Sequence, residues 1–538
     1  MTGRLPSIVI TGASGFVGRH LLDDLKSEYR IFAIARRSQH ECNAPVHANI
    51  AWIRADIADF AGIARAFREI ATAGGADYLI HLAAYYDFTG KKRPEYRRTN
   101  VEGTRYILDL AASLNLKLFV FASSVAACSF PKKDEVVNEA SPPDGKLLYP
   151  WSKRQGEAMV REFGRTTPSC IVRLGAVFSD WCEYPPLYAF LTTWLGGSWR
   201  AGILAGHGES AIPYIHVRDV VAFFRNLLAR HAHLGPAEVL IVSTPGSTTH
   251  RELFSLALRY FYGRIRKPML MPAFLCGIGI RLRLLWGYIT KNEPFERPWM
   301  QRYIDRQLNI ENSRTSSLLQ WAADPRHLIE RRFPFLMERL KSEPLEWRLR
   351  NLAAMRRETD HPNLRIYTAL TSLEDDIIQA VIEQITGPAD ATRYPAIRSL
   401  DRTELTWFLK LIYRLLLTSV HTGNKMLLLD YFEISGLRRI EAGYPAEETA
   451  RMLAELNRTT IERLRRVEDL RPFVNQIYDF VSMPLEFGID EIEQQHQLRL
   501  HELRGERGPS EAPAAIEPAR SAREQLEETI WSCLVKRK

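Results

Sequence analysis

A run of three β-branched residues, Ile8-Val9-Ile10, passes without a break into Thr11-Gly12-Ala13-Ser14-Gly15-Phe16-Val17-Gly18 and then into the amphipathic start Arg19-His20-Leu21-Leu22. An unbroken apolar strand suits a parallel sheet covered on both faces. Three glycines at spacing three between strand and helix restrict the chain further. Gly12 takes the tight turn, Gly15 lets backbone approach a pyrophosphate, and Gly18 lets the helix pack close on the strand. The helix N-terminus adds N–H donors for phosphates. The loop predicts a doubly wound α/β domain that binds a dinucleotide through Gly12, Ser14, Gly15, Phe16, Val17 and Gly18.

The next strand, 30–35, ends in Arg36-Arg37 rather than in Asp or Glu. An acidic residue there would bind the adenosine 2′-hydroxyl, whereas a guanidinium suits a 2′-phosphate, so NADP is favoured over NAD. Asp56-Ile57 follows a third strand, 50–53, with the carboxylate expected within reach of the adenine amino group. A fourth strand, 78–84, ends in His81-Leu82-Ala83-Ala84, where Leu82, Ala83 and Ala84 would let a cofactor lie against the chain. His81 reads either as a catalytic base or, the favoured reading, as a packed and hydrogen-bonded residue beside the cofactor.

A fifth strand, 118–122, runs into Ser123-Ser124, and Tyr149-Pro150-Trp151-Ser152-Lys153 opens another helix with Pro150 in its first turn. Tyr149 and Lys153 are four residues apart and share a helix side. A phenol with a pKa near 10 is a poor base at neutrality, but an adjacent ammonium and an oxidised nicotinamide stabilise its phenolate. Ser124 is expected to hydrogen-bond the substrate oxygen and Tyr149 to move the proton. Lys153 is expected to tune Tyr149 and hold the cofactor ribose, which places both in the cofactor-binding set as well.

With Asn100-Val101-Glu102-Gly103-Thr104 and 212–219 added, these motifs resemble the extended short-chain dehydrogenase/reductases, the NAD-dependent epimerase/dehydratase superfamily. The resemblance covers about residues 5–345. It implies a Rossmann core over about 5–180, a smaller substrate lobe over about 181–345, a Ser-Tyr-Lys site at their junction, and a supporting role for Asn100 in the cofactor region. Many nucleotide-sugar members carry an Asn after the sixth strand that helps hold the nucleotide diphosphate. Here the stretch is Arg173-Leu174-Gly175-Ala176-Val177-Phe178-Ser179, which weakens a sugar-epimerase reading. The apolar run 268–280, followed by Arg281, Arg283 and Leu284-Leu285-Trp286, is similar to the substrate lobes of the 3β-hydroxysteroid dehydrogenase and dihydroflavonol reductase branch. It is too short and interrupted to span a bilayer. It reads as a wall of the substrate cavity or as an interfacial membrane helix with basic residues at the headgroups. The expected activity is hydride transfer between NADP(H) and a secondary alcohol or ketone on a largely apolar small molecule. The alternatives are a nucleotide-sugar epimerase or dehydratase and an NADP(H)-sensing regulatory protein.

The chain has 538 residues, more than one core usually organises, and beyond 346–347 helical periodicity dominates. Helices are expected over 375–385, 403–420, 424–437, 446–466 and 470–478, with 403–420 central to an all-α bundle spanning 350–503. Gly443 is a candidate C-cap and Pro445 a candidate N1 residue. Arg458, Arg463, Arg465 and Arg466 are opposed by Glu447, Glu448, Glu455 and Glu462, so a solvated face is expected there, and no nucleic-acid partner. The bundle is read as a regulatory or oligomerisation module, with a homo-oligomer as one possible partner state. Residues 504–521 read as a flexible linker and 522–538 as a short amphipathic tail. The net charge of +9 is compatible with an anionic ligand or membrane surface. Six cysteines without a CxxC pair or metal-spaced His predict neither zinc nor a disulfide framework. The absence of a signal-peptide apolar region leads to a cytoplasmic expectation, with a membrane-peripheral location as the alternative.

Overall fold

Successive residues of a strand face opposite sides of its sheet, and buried apolar residues on both sides demand helices on both. The computed structural model describes residues 5–505 except 40, 133, 291–293, 356–361, 388–391 and 442–444. Strands β1 (Ser7–Thr11), β2 (Arg30–Ala35), β3 (Ile50–Arg54), β4 (Tyr78–His81), β5 (Leu118–Ser124), β6 (Ser169–Leu174) and β7 (Glu238–Val242) form one sheet in the order β7-β6-β5-β4-β1-β2-β3. Every pairing in it is parallel.

Ile8 and Ile10 lie in a core with helix α1 (Phe16–Leu25). Val9, Phe119 and Phe121 lie in a second core with α2 (Phe60–Thr72), α3 (Thr104–Ala111) and the C-terminal end of α4 (Leu148–Phe163). Helix α5 (Val217–Arg230) completes the first layer through Val220, Phe223 and Leu227. The strand order reverses between β1 and β4, so a crevice opens beyond their carboxyl ends. Thr11-Gly12 and His81-Leu82 stand at that crevice.

Two expected boundaries move. Both α5 and β7 lie beyond residue 180, and β7 pairs with β6 in the register Glu238↔Cys170 through Val242↔Leu174. The chain thus returns from the lobe to finish the sheet, and the core is not confined to 5–180. The first compact unit continues past 345 through the helix Pro344–Ala354. The reason is Trp347, which is buried in the lobe's own core with Phe178, Leu187, Phe254 and Phe333.

The second unit, described from residue 362, is all helical. Its main helices are α7 (Pro362–Thr386), α8 (Arg402–Thr422), α9 (Met426–Glu441), α10 (Ala446–Arg465) and α11 (Met483–Gly505), α6 (Ala273–Thr290) being in the first unit. Leu405, Phe408, Leu409, Ile412, Leu416 and Val420 of α8 face its core. Helix α7 begins well before the expected 375, because Ile366 and Leu370 continue the buried stripe. The hydroxyls of Thr368 and Thr371 donate to the carbonyls of Leu364 and Tyr367, four residues back, and so cause no break. Pro445 is the residue preceding α10 rather than its first. The 470–478 stretch divides into a 3₁₀ turn, Glu468–Phe473, and a short helix, Val474–Ile477. Arg458 is held by Glu455 and Glu462, Arg463 by Asp376, while buried Glu448 accepts from the backbone N–H groups of Ala396 and Ile397. Gly443, most of the 504–521 segment and the 522–538 tail lie outside the described residues. Among the described residues no helix is long and apolar enough to cross a membrane, and no cluster of His, Cys, Asp and Glu is placed to hold a metal.

Candidate active site

The glycine loop is shaped by backbone contacts. Gly12 has φ +73°, and a Cβ there would lie 2.7 Å from the Ala83 backbone nitrogen. A side chain is therefore excluded twice, by conformation and by space. A Cβ at Gly18 would lie 2.5 Å from the Gly12 carbonyl oxygen, which explains the close seating of α1. Gly15 precedes α1 with no side-chain cap, so the first-turn N–H groups, around Phe16, Val17 and Gly18, are left for an external acceptor. This arrangement fits a dinucleotide pyrophosphate.

Strand β4 stops at His81, and Leu82-Ala83-Ala84 bend over the loop. The Leu82 N–H donates to the Thr11 carbonyl (3.2 Å), and the Ala83 N–H reaches the Thr11 hydroxyl (3.4 Å). His81 is fully buried between the hydroxyls of Thr11 (2.6 Å from Nδ1) and Thr104 (3.1 Å from Nε2). Burial, helped by the Lys153 charge, lowers its pKa to about 3. It is packed and hydrogen-bonded at both ring nitrogens, the arrangement of the favoured sequence reading.

The other residues expected beside a cofactor are placed as follows. Arg36 is exposed beyond the carboxyl end of β2, whereas the Arg37 guanidinium donates to the Ser14 carbonyl (3.0 Å). Asp56 pairs with Arg98 (2.7 Å) and accepts from the Ala58 N–H (3.1 Å), while Ile57 is buried against Gly103. Asn100 sits buried in a π-helical turn, Arg98–Gly103. Its side-chain oxygen accepts from the Tyr85 N–H (2.6 Å), and its amide donates to the Tyr85 carbonyl (2.8 Å) and the Ser152 hydroxyl (2.9 Å). Ser152 donates in turn to the Tyr149 carbonyl (2.8 Å). Asn100 therefore joins the chain after β4 to the first turns of α4.

Helix α4 brings Tyr149 and Lys153 together, with the Lys153 nitrogen 5.8 Å from the Tyr149 ring centre. That nitrogen donates to the Ala122 carbonyl (2.6 Å) and lies 5.0 Å from the Phe121 ring. Burial lowers the Lys153 pKa to about 8, against the opposing pull of Glu157. Ser124 ends β5, two residues beyond the carbonyl that anchors Lys153. Its oxygen accepts from the Ala126 N–H (3.2 Å), and its own O–H reaches the Leu174 carbonyl only at 3.5 Å. That is beyond ordinary O–H···O range, so the proton is available to an external oxygen.

Two features were not read from sequence. Tyr86 packs on Tyr149 with ring centres 4.1 Å apart, Phe88 lies 4.4 Å from Tyr86, and Phe295 and Tyr184 lie 5.7 and 6.2 Å from Phe88. The run Tyr85-Tyr86-Asp87-Phe88 directly after the fourth strand was the available signal. Beneath α4, Arg173 grips both oxygens of Glu157 (3.0 and 2.9 Å), and Ser123 donates to one of them (2.7 Å). Both ion-pair partners are wholly buried.

The NAD dependent epimerase/dehydratase family model matches residues 8–242. Over 223 residues the chain is 26% identical to an N-acetyl-alpha-D-glucosaminyl-diphospho-ditrans,octacis-undecaprenol 4-epimerase of Escherichia coli O157:H7, covering 41% of this chain and 62% of that protein. It is 34% identical over 119 residues to a putative dihydroflavonol 4-reductase of Synechocystis sp., covering 22% and 32% of the two chains. With 3 beta-hydroxysteroid dehydrogenase type 7 of Rattus norvegicus the identity is 27% over 175 residues, 30% of this chain and 50% of that one. The chain thus spans between 32% and 62% of the length of these relatives.

Proposed function

From the match of residues 8–242 to the NAD dependent epimerase/dehydratase family model we propose that the protein is an oxidoreductase acting on a secondary alcohol or ketone of largely apolar character, with NADP(H) as cofactor. The observation that carries the substrate class is the aromatic wall of Tyr86, Phe88, Tyr184 and Phe295 beside Tyr149. Such rings offer large apolar area and few polar contacts. The missing Asn after β6 and the likeness to a 3 beta-hydroxysteroid dehydrogenase and a putative dihydroflavonol 4-reductase support the same choice.

The glycine loop with Ser14, Phe16 and Val17 would hold the pyrophosphate, Asp56 and Ile57 the adenine side, and Leu82-Ala83-Ala84 the face beyond β4. When bound, the nicotinamide supplies or accepts the hydride. Ser124 donates its hydroxyl proton in a hydrogen bond to the substrate oxygen. Tyr149 gives that oxygen a proton in reduction and takes one in oxidation. The Lys153 ammonium stabilises the phenolate that reduction leaves, and Asn100 holds Tyr149 and Lys153 in place through Ser152. With Arg37 engaged by Ser14, Arg36 is the guanidinium assigned to the 2′-phosphate.

The test is net NADPH absorbance with apolar ketones. Stoichiometric loss is expected, and Arg36→Ala should raise KM for NADPH by about tenfold or more with little change for NADH. Sugar epimerisation at constant absorbance would overturn the reading. A pH profile gives a second measure. Lys153 is charged below its pKa of about 8 and neutral above it, so kcat/KM for ketone reduction should fall as pH rises through about 8. Lys153→Arg, whose guanidinium keeps its charge, should lack that limb.

A further inference from the structure

The apolar run after His250–Tyr262 does not close over a core. Of twenty exposed large apolar side chains among the described residues, ten fall between Tyr262 and Trp286. That concentration exceeds the scattered exposure of an ordinary surface. In α6, Phe274, Ile278, Leu282, Leu285 and Trp286 are all exposed. At 100° per residue they fall within an arc of about 120°. The opposite side is small and buried: Cys276, Gly277 and Gly287 face inward, and a Cβ on Gly277 would collide with the Gln301 side chain. The helix is therefore seated by its small residues and presents its bulky ones outward.

The charge carried by this segment itself has one sign. From Gly263 to Thr290 there are five basic residues, Arg264, Arg266, Lys267, Arg281 and Arg283, and no Asp or Glu. Arg281 and Arg283 border the apolar arc on either side. Arg283 is paired with Glu296 (2.5 Å), while Arg264, Arg266 and Lys267 are exposed and form no ion pair with a described carboxylate. We propose that α6 and the preceding strand Met269–Met271 form an interfacial docking surface for an anionic lipid bilayer, the apolar arc entering the acyl boundary and the basic residues meeting headgroup phosphates.

Charge and length select this occupant. A second copy packed by a two-fold axis would oppose basic rim to basic rim, and the helix does not qualify as a membrane span. The surface also adjoins the aromatic wall, because Glu296, the partner of Arg283, follows Phe295 directly. The docking inference does not depend on the redox reading, and its test involves no turnover.

The full chain is mixed with phosphatidylcholine vesicles, with or without about one third phosphatidylglycerol, and sedimented at low and high salt. Binding is expected to the anionic vesicles and to weaken with salt. Leu282→Glu/Trp286→Glu, confined to exposed positions, should lower partitioning by about tenfold or more. Arg264→Glu/Arg266→Glu/Lys267→Glu should remove the preference for anionic lipid. Failure of the intact chain to bind either vesicle overturns the proposal, as does binding unaffected by Leu282→Glu/Trp286→Glu. A dimer in light scattering that this same double substitution dissolves, or vesicle binding that appears only after removal of residues 506–538, assigns the face to a second copy or to the chain's own tail and overturns it equally.

Discussion

Tyr149→Phe is expected to lower kcat by about 10²–10⁴-fold, the range for loss of a positioned proton-transfer group, while NADP(H) affinity changes by no more than a few-fold. The substitution removes one oxygen and leaves the ring. The contact with Tyr86 at 4.1 Å is a ring contact, and Lys153 is anchored independently on the Ala122 carbonyl. The α4 backbone is held by Asn100 through Ser152, which bonds to the carbonyl of residue 149 and not to its side chain. Ring packing, helix position and the lysine anchor therefore survive, and the loss reports on the phenolic hydroxyl. Single-turnover rates with NADPH, set beside a fluorescence titration of NADPH binding, separate the two quantities. Wild-type-like turnover would remove Tyr149 from its role. Equal loss of binding and turnover would make it a cofactor contact only.

What sequence could disclose follows from how local each constraint is. At Gly12 a positive φ and the Ala83 backbone leave no alternative to glycine, so the residue itself marks the turn. The Tyr149 and Lys153 pair is legible because a spacing of four places two side chains on one helix side before any tertiary contact forms. The helices of the second unit were legible in part for the same reason, although Thr368, Thr371 and Ser372 concealed the first turns of α7 by low intrinsic propensity. The aromatic wall is different. Phe88 and Phe295 meet only after the lobe has folded back, and no period in either segment encodes the meeting. The return of the chain to β7 is hidden likewise, since a short apolar strand bears no mark of which sheet it will join. Asn100 was legible as a member of a motif but not as a clamp, because its partners Tyr85 and Ser152 come from two other elements.

Glu157 is the strongest case of a determinant set by tertiary structure, and Glu157→Ala is expected to destabilise the first unit by about 3–5 kcal/mol. Its carboxylate is fully buried on α4 and meets the Arg173 guanidinium from β6 through both oxygens, with Ser123 of β5 bonded to the same group. Alanine would leave a charged guanidinium in the interior with only the Ser141 carbonyl (2.8 Å) among its present partners. The pair itself need not be strongly stabilising, because removing two charges from water offsets much of their attraction. Glu157→Leu/Arg173→Met should accordingly recover most of the loss, and urea midpoints for the single and double variants measure the difference. The same substitution has a separate chemical consequence. The Glu157 charge raises the Lys153 pKa against burial, so without it Lys153 becomes neutral at lower pH. The alkaline limb of ketone reduction should then move to lower pH in any Glu157 variant that remains folded, including Glu157→Gln. A stability loss with an unmoved pH profile would confine Glu157 to packing. A shifted profile would link the buried ion pair to the charge state of the lysine one turn away.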